Sequence, residues 1–492
     1  MNRRMVVFIL GWILKLEAVF LLLPLLVGLL YREFTGCLCF LITIAVCGLA
    51  GLLMARKKPV NTVFYMKEGC AATALGWILL SITGALPFYL SREIPSFTDA
   101  LFETISGFTT TGASILPEVE SLSHGMLFWR SFTHWLGGMG VLVFLLAVIK
   151  MTGGSHMNLM RAESPGPSVG KLVPKVKHTA AILYKIYLFL TVVQIVLLLV
   201  GGMPVFDAVT TAFGTAGTGG FGIKNDSMAG YSPYIQWITT VFMLLFGVNF
   251  NMYFLLLLKK WKTALRMEEV RGYFLVVLAA TGIILANAYD ASMGFFGNLR
   301  HVAFQVASII TTTGFSTVDF DLWPEASRMV LVMLMFIGAC AGSTGGGVKV
   351  SRFIVLIKSV RRELNSYIYP KSVKKINVDG RPVEHEVIRG INVYFITFIL
   401  IFSFSVLCLS FEGKGMVTSF TAVAATVNNI GPGLELVGPT QNFGGFTPLS
   451  KYVLMFDMLA GRLELFPLLL LFYPPCLKGL LGIGRRGKER KV

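Results

Sequence analysis

Apolar runs long enough to cross about 30 Å of hydrocarbon recur ten times along the chain, near residues 6–30, 36–55, 69–90, 126–149, 180–202, 235–258, 272–289, 329–360, 391–411 and 452–475. A run of this kind must satisfy its backbone hydrogen bonds internally, so the expected fold is an all-α polytopic membrane protein. Charge agrees: Asp, Glu, Lys and Arg make up 14% of the 492 residues, against about a quarter in soluble domains. A water-soluble multidomain enzyme and a disordered chain are both excluded. The first run is too long, and too closely followed by a second, to read as a cleaved signal peptide.

The net charge of +17 raises the question of nucleic acid, and its placement answers it. With the N-terminus in the cytoplasm and one crossing per run, 32 of the 43 Lys and Arg fall on the cytoplasmic side. Eight lie on the other side, counting Arg130 near the outer end of run 126–149, and three lie well within spans, namely Lys15, Lys185 and Arg462. Ten crossings obey the positive-inside rule and put both termini in the cytoplasm. The basic balance is a topology signal, with no nucleic-acid partner expected. All seven cysteines lie in or beside apolar runs and read as small buried hydrophobes. Neither they nor the six histidines have the spacing of a transition-metal site, and no nucleophile motif appears. An enzyme is not expected. Two matches to GxGxxG, 217–222 and 482–487, neither follow a strand nor open a βαβ unit, and Val348 spoils a phosphate-loop match at 342–349.

Four half-polar segments recur between the runs: FTDALFETISGFTTTGAS (97–114), VFDAVTTAFGTAGTGGFG (205–222), RHVAFQVASIITTTGFS (300–316) and VTSFTAVAATVNNIGPG (417–433). They align on Gly112, Gly220, Gly314 and Gly431, with Thr110, Thr218, Thr312 and Asn429 two residues earlier. Asp99 and Asp207 align near the starts of the first two, where N-capping is their expected role. The unit is span, short re-entrant helix, loop, span, in pseudo-fourfold arrangement around one pore. It follows two extra N-terminal helices in 1–60 and divides the chain into repeats at 61–155, 156–265, 266–365 and 366–492, the last with a basic tail. About ten residues are too few to cross a bilayer, and irregular backbone survives at that depth only in protein or beside water. Carbonyl oxygens of four such loops can replace the hydration shell of an alkali cation. Glycine allows the backbone angles this needs, and the short helices aim their negative ends at the ion. The candidate ligands for that cation are Thr110, Thr111 and Gly112; Thr218, Gly219 and Gly220; Thr312, Thr313 and Gly314; and Asn429, Ile430 and Gly431. Helix packing is the competing role for a glycine in an apolar segment.

The chain resembles the Trk/Ktr/HKT superfamily of potassium transporters, and within it the Trk-type membrane subunit. The resemblance covers essentially the whole chain and rests on FETISGFTTTGAS (102–114), RSFTHWLGGMG (130–140), GTGGFG (217–222), SIITTTGFST (308–317), GSTGGGVKVSR (342–352), NNIGPG (428–433) and GRLELFPLLLLFYP (461–474). It implies a homodimer of pore subunits docked on a cytosolic regulatory ring of the Trk type. NAD and ATP or ADP would bind that ring, and this chain would carry no cofactor of its own. It also implies the bacterial or archaeal cytoplasmic membrane. Gly219, where threonine is common, and Pro432 depart mildly from the family pattern.

Two features read as gates. Gly342, Ser343, Thr344, Gly345, Gly346 and Gly347 interrupt the run 329–360, and each glycine in a helix costs about 1 kcal/mol relative to alanine. A packing kink would explain that break. A mobile intramembrane loop explains it better, because the break belongs to the third repeat only, and the resemblance implies a loop that blocks the pore from the cytoplasmic side. Arg462 sits within a span, where a charge marks an ion path by default; a buried ion pair with Asp457 or Glu464 is the alternative. The function these features predict is potassium uptake driven by the membrane potential, with coupling to protons or sodium left open. A secondary transporter of another cation or an organic solute is the alternative.

Overall fold

The computed structural model describes residues 1–57, 59–60, 65–152, 176–371 and 374–481. The chain starts with α1 (Arg3–Phe20) and α2 (Leu22–Leu30), which form one 28-residue span, and α3 (Phe34–Met54) packs against them. The first repeat is α4 (Met66–Leu90), the short α5 (Phe97–Phe108) and α6 (His124–Thr152). The second is α7 (Val176–Val200), α8 (Val205–Gly217), α9 (Pro233–Gly247) and α10 (Phe250–Leu257), with α11 (Trp261–Leu265) as a link. The third is α12 (Glu268–Asn287), α13 (Gly294–Ile310), α14 (Glu325–Ile337) and α15 (Val350–Ile368). A two-stranded hairpin, β1 (Asn377–Val378) antiparallel to β2 (Arg381–Pro382), leads into the fourth: α16 (His385–Ser410), α17 (Met416–Val427), α18 (Pro448–Arg462), α19 (Phe466–Phe472) and α20 (Pro474–Leu481). The basic tail beyond residue 481 and much of the 150–177 segment lie outside the described residues.

The four short helices α5, α8, α13 and α17 each follow closely on the long helix before them. Among their alanines, Ala100, Ala208, Ala212, Ala307, Ala422 and Ala424 have no solvent-exposed surface. Small side chains let four helices approach closely without a hydrophobic driving force from water. The surrounding spans turn large apolar side chains such as Leu38, Leu199, Leu278 and Leu400 outward, as a lipid-facing surface requires. Six of the cysteines are buried and Cys408 is half-buried; all seven are free thiols.

Two runs expected to cross as unbroken helices are in fact broken. Run 235–258 bends by 89° between α9 and α10, where Gly247 backs onto Thr311 and Asn249 caps the new helix by accepting from the Asn251 N–H at 3.0 Å. Run 452–475 breaks between α18 and α19, where Glu464 and Leu465 adopt positive φ of 58° and 65°. Pro467 follows two residues on, in the first turn of α19; in a helix continued from α18 it would remove an intrahelical donor and clash with the carbonyl four residues earlier. The break at the glycine run is wider than the glycines themselves, extending from Gly338 to Lys349.

Candidate ion pathway

The four short helices end in the same way. Thr110, Thr218, Thr312 and Asn429 take left-handed φ of 55°, 53°, 59° and 55°, and Gly112, Gly220, Gly314 and Gly431 take 79°, 73°, 87° and 98°. Between them, the N–H groups of Thr111, Gly219, Thr313 and Ile430 reach back to the carbonyls of Ser106, Gly214, Ser308 and Ala425 at 2.8–2.9 Å. This is a Schellman-type end, in which the turn satisfies part of the helix's own C-terminus. Asn accepts the left-handed region readily, whereas β-branched Thr rarely does. Three strained threonines at one aligned position persist only because the surroundings over-determine them.

The glycines show how the four ends meet. A methyl group built on Gly112 would overlap the carbonyl oxygen of Gly219. On Gly220 it would overlap that of Thr313, and on Gly314 that of Ile430. On Gly431 it would lie 2.8 Å from the carbonyl oxygen of Thr111. The contacts run from repeat one to two, two to three, three to four and four back to one. The ring is closed, so all twelve sequence-derived candidate residues stand in one structure. Glycine is required here for close approach as well as for its φ. Packed this way, a backbone oxygen of one repeat lies directly against the glycine of the next, and backbone oxygens can replace water around an alkali cation.

Asn429, a candidate ligand in the sequence, is also a support of the ring, and the other supports were not legible as site residues. Asn429 donates through Nδ2 to Thr111 Oγ1 and to the Met458 carbonyl, both at 2.9 Å, tying the fourth loop to the first. His134 Nδ1 lies 2.8 Å from the Gly107 carbonyl, and its ring fills the space a side chain on Gly219 would need. Gly137 and Gly461 let α6 and α18 press against the Phe108 and Val427 carbonyls at the ends of α5 and α17. Gly461→Ala should therefore overpack the α17–α18 contact, at a cost of about 1–3 kcal/mol; a lower thermal midpoint in detergent would report it. The aspartates are not N-caps. Ser96 caps α5, while Asp99 in its first turn pairs with Lys451 at 2.5 Å. Pro204 occupies the cap position of α8, and Asp207 accepts from Tyr231 at 2.8 Å. In the first turn, each carboxylate still interacts favourably with the positive end of its helix dipole.

The interrupted third repeat lies against the same ring. The Gly346 N–H donates to Thr312 Oγ1 at 2.6 Å, and a methyl on Gly346 would sit 2.5 Å from the Asn428 carbonyl. Gly342 accepts from the Phe250 N–H at 3.1 Å, and Ser343 folds back onto the Cys340 carbonyl at 2.6 Å. Gly347, at a φ of 74°, packs on Gly338. Arg462 donates to the Thr344 carbonyl at 3.1 Å and to the Gly137 carbonyl, joining the loop to α18 and α6. Gly342 to Gly347 and Arg462 are thus brought together. Of the two carboxylates weighed as partners for Arg462, Glu464 pairs with Arg352 and Asp457 accepts from Ser405 at 2.8 Å.

Further members of this cluster escaped sequence reading. Lys349, buried and at a φ of 83°, donates Nζ to the Gly345 carbonyl and to that of Gly346 at 3.1 Å. The Glu269 carboxylate accepts from the Ala341 N–H at 2.6 Å and from Asn249 Nδ2 at 3.0 Å. The bend in the second repeat and the break in the third therefore share one carboxylate. Lys349 and Arg352 counted only as topology charges in the sequence. Shortening Glu269 to alanine should free the loop's start and raise resting ion flux; isotope influx into whole cells measures it.

Four span–re-entrant helix–span units closing on a backbone ring define a multi-pass membrane transport protein, not an enzyme. Residues 38–475 match the family model described as TrkH, a cation transport protein, and the chain belongs to that family. It is 37% identical over 488 residues to the Trk system potassium uptake protein TrkH of Salmonella typhimurium, covering 96% of this chain and 99% of the relative. To TrkG of Escherichia coli K12, also a Trk system potassium uptake protein, it is 31% identical over 477 residues, covering 95% and 97%. The crystal structure of the potassium transporter TrkH from Vibrio parahaemolyticus superposes with a TM-score of 0.86 at 33% identity, covering 97% of this chain and all of that one.

Proposed function

We propose that this chain is the membrane subunit of a Trk-type potassium uptake system. The observation that carries this is the closed ring in which each filter glycine abuts a carbonyl of the next repeat. Potassium passes through the backbone oxygens of Thr110 to Gly112, Thr218 to Gly220, Thr312 to Gly314 and Asn429 to Gly431. The inside-negative potential supplies about 2.3 kcal/mol per charge per 100 mV. Below the filter, the loop Gly342–Gly347 closes the path. It is supported in that role by its contacts with Thr312 and the Asn428 carbonyl, and by Arg462 holding the Thr344 carbonyl. Arg462 also places positive charge beside the loop, which opposes cation passage.

The four ring glycines favour potassium over an organic solute, which would need a cavity at the bilayer midplane. Both termini face the cytoplasm of a bacterial or archaeal cell. The subunit works as a homodimer on a cytosolic ring that takes NAD or ATP and ADP, and opening follows when that ring draws the loop away. Expression in a bacterium lacking its own potassium uptake tests the reading. Growth at low potassium, with the regulatory subunit present, is expected. Failure to grow with the protein inserted at normal levels in the membrane removes potassium as the cargo.

A further inference from the structure

The outer ends of the loops are held unequally, and the difference centres on one buried ion pair. Arg130 of α6 and Glu103 of α5 are 3% and 1% exposed, with Nε 2.6 Å from Oε1. Sequence reading placed Arg130 among the outer-side charges; packing puts it inside. Glu103 also accepts from Ser114 Oγ at 2.9 Å and from the Ile115 N–H at 3.0 Å, which pins the strand that leaves the first loop. Arg130 reaches on through Nη1 to the Gly222 carbonyl at 2.7 Å, on the strand that leaves the second. Its guanidinium lies 3.6 Å over the Phe221 ring, and Phe221 stacks against His134, which supports Gly107 and Gly219.

The other two loops lack this device. At the position equivalent to Glu103 the third repeat has Gln305, whose amide only reaches Thr317 Oγ1 at 3.5 Å, with His301 Nδ1 on the same hydroxyl at 3.0 Å. The fourth has Ala422 there, and the Leu434 N–H goes to Thr421 Oγ1 at 3.0 Å. Among the described residues, the Glu103–Arg130 ion pair joins the first and second loops, whereas the third and fourth repeats are linked beyond their loops by a carboxylate, Asp321, accepting from the Glu435 N–H at 2.9 Å.

We propose that Glu103 and Arg130 are positioning residues for ion selectivity. The pair locks the first two filter strands at one separation and so keeps the ring wide enough for potassium and too wide to close around sodium. Neither residue touches the ion; both act through Ser114, Ile115 and Gly222. A planar guanidinium is needed because one side chain must serve a carboxylate, a carbonyl and a ring face together, which a lysine ammonium does not do. Removing either partner leaves the other charge buried without its mate, and the two strands are then free to part. This inference rests on the potassium-filter reading above.

The test is potassium and sodium influx into uptake-deficient cells expressing the full chain with its regulatory subunit, normalised to protein in the membrane. Glu103→Gln, Arg130→Lys, the double variant Glu103→Gln/Arg130→Gln and Gly112→Ser run in parallel. Arg130→Lys and Glu103→Gln are expected to lower the potassium-to-sodium ratio by about tenfold, as a displacement of reacting groups by a fraction of an ångström can. The potassium KM should rise more than the maximal rate falls. The double variant, with no stranded charge, should recover membrane level but not selectivity. If the variants only reduce the amount of protein and keep wild-type selectivity and KM per molecule, the pair is structural and the proposal is overturned. If Gly112→Ser also leaves selectivity untouched, the filter reading itself fails, and the two failures are told apart.

Discussion

Replacing Gly220 by alanine is expected to abolish potassium uptake while leaving the protein in the membrane. Two costs coincide at this residue. Its φ of 73° is a left-handed conformation, which costs an L-residue about 1–2 kcal/mol. Its missing methyl would also occupy the position of the Thr313 carbonyl oxygen, so that carbonyl has to move. Because the oxygen is proposed to replace water around the ion, a shift small enough to fold around is still large enough to spoil coordination. Gly112 meets the Gly219 carbonyl in the same way, and Gly112→Ser should weaken growth at low potassium and admit sodium. At Gly431 a methyl would come 2.8 Å from the Thr111 carbonyl oxygen, the least severe of the four overlaps, so alanine should be tolerated best there. Rubidium influx and growth at graded potassium would measure the series. Wild-type rate and selectivity in Gly220→Ala, at normal membrane abundance, would be incompatible with a carbonyl filter at this ring.

Arg462→Ala is expected to act in the opposite direction, raising resting flux and weakening dependence on the regulatory subunit. The guanidinium donates to the Thr344 carbonyl of the loop and to the Gly137 carbonyl of α6. Alanine removes both hydrogen bonds and one positive charge near the path. Hydrogen bonds from a charged donor contribute about 1.5–3 kcal/mol each, so a closed loop held partly by this residue should open at least tenfold more often. Arg462→Lys retains charge but not the fork, and separates the electrostatic barrier from the latch. Should both variants transport as wild type with normal insertion, neither role survives. Lys349 is the contrasting position: its ammonium is bound within the loop, to the Gly345 and Gly346 carbonyls. Its removal should soften the loop without removing the Arg462 latch.

What the sequence determined by itself was whatever repeats or periodicity carries. Ten apolar runs and their flanking charges fix the lipid environment, because charge in hydrocarbon and unsatisfied backbone are both too costly to hide. Four aligned glycines, with Thr110, Thr218, Thr312 and Asn429 two residues ahead, specify four equivalent loops, since only positions that need a special φ or close approach keep such a register. Individual partners were not legible. Arg462 stood out as a charge in a span, yet its acceptors include the carbonyls of Thr344 and Gly137, and a carbonyl leaves no mark in sequence. Arg130 looked like an outer-side charge until packing enclosed it against Glu103. The aspartates at helix starts looked like caps, but Ser96 and Pro204 hold those positions. The break at Glu464 and Leu465 did leave a signal in Pro467, masked by the strongly apolar residues around it. Which glycine meets which carbonyl, which carboxylate takes which cation and where the glycine loop rests are decided only by tertiary structure. Each depends on two segments that are separate in sequence, from 27 residues apart for Arg130 and Glu103 to 325 for Arg462 and Gly137, arriving within hydrogen-bond distance, and local sequence constrains each segment's conformation but not the other segment's position.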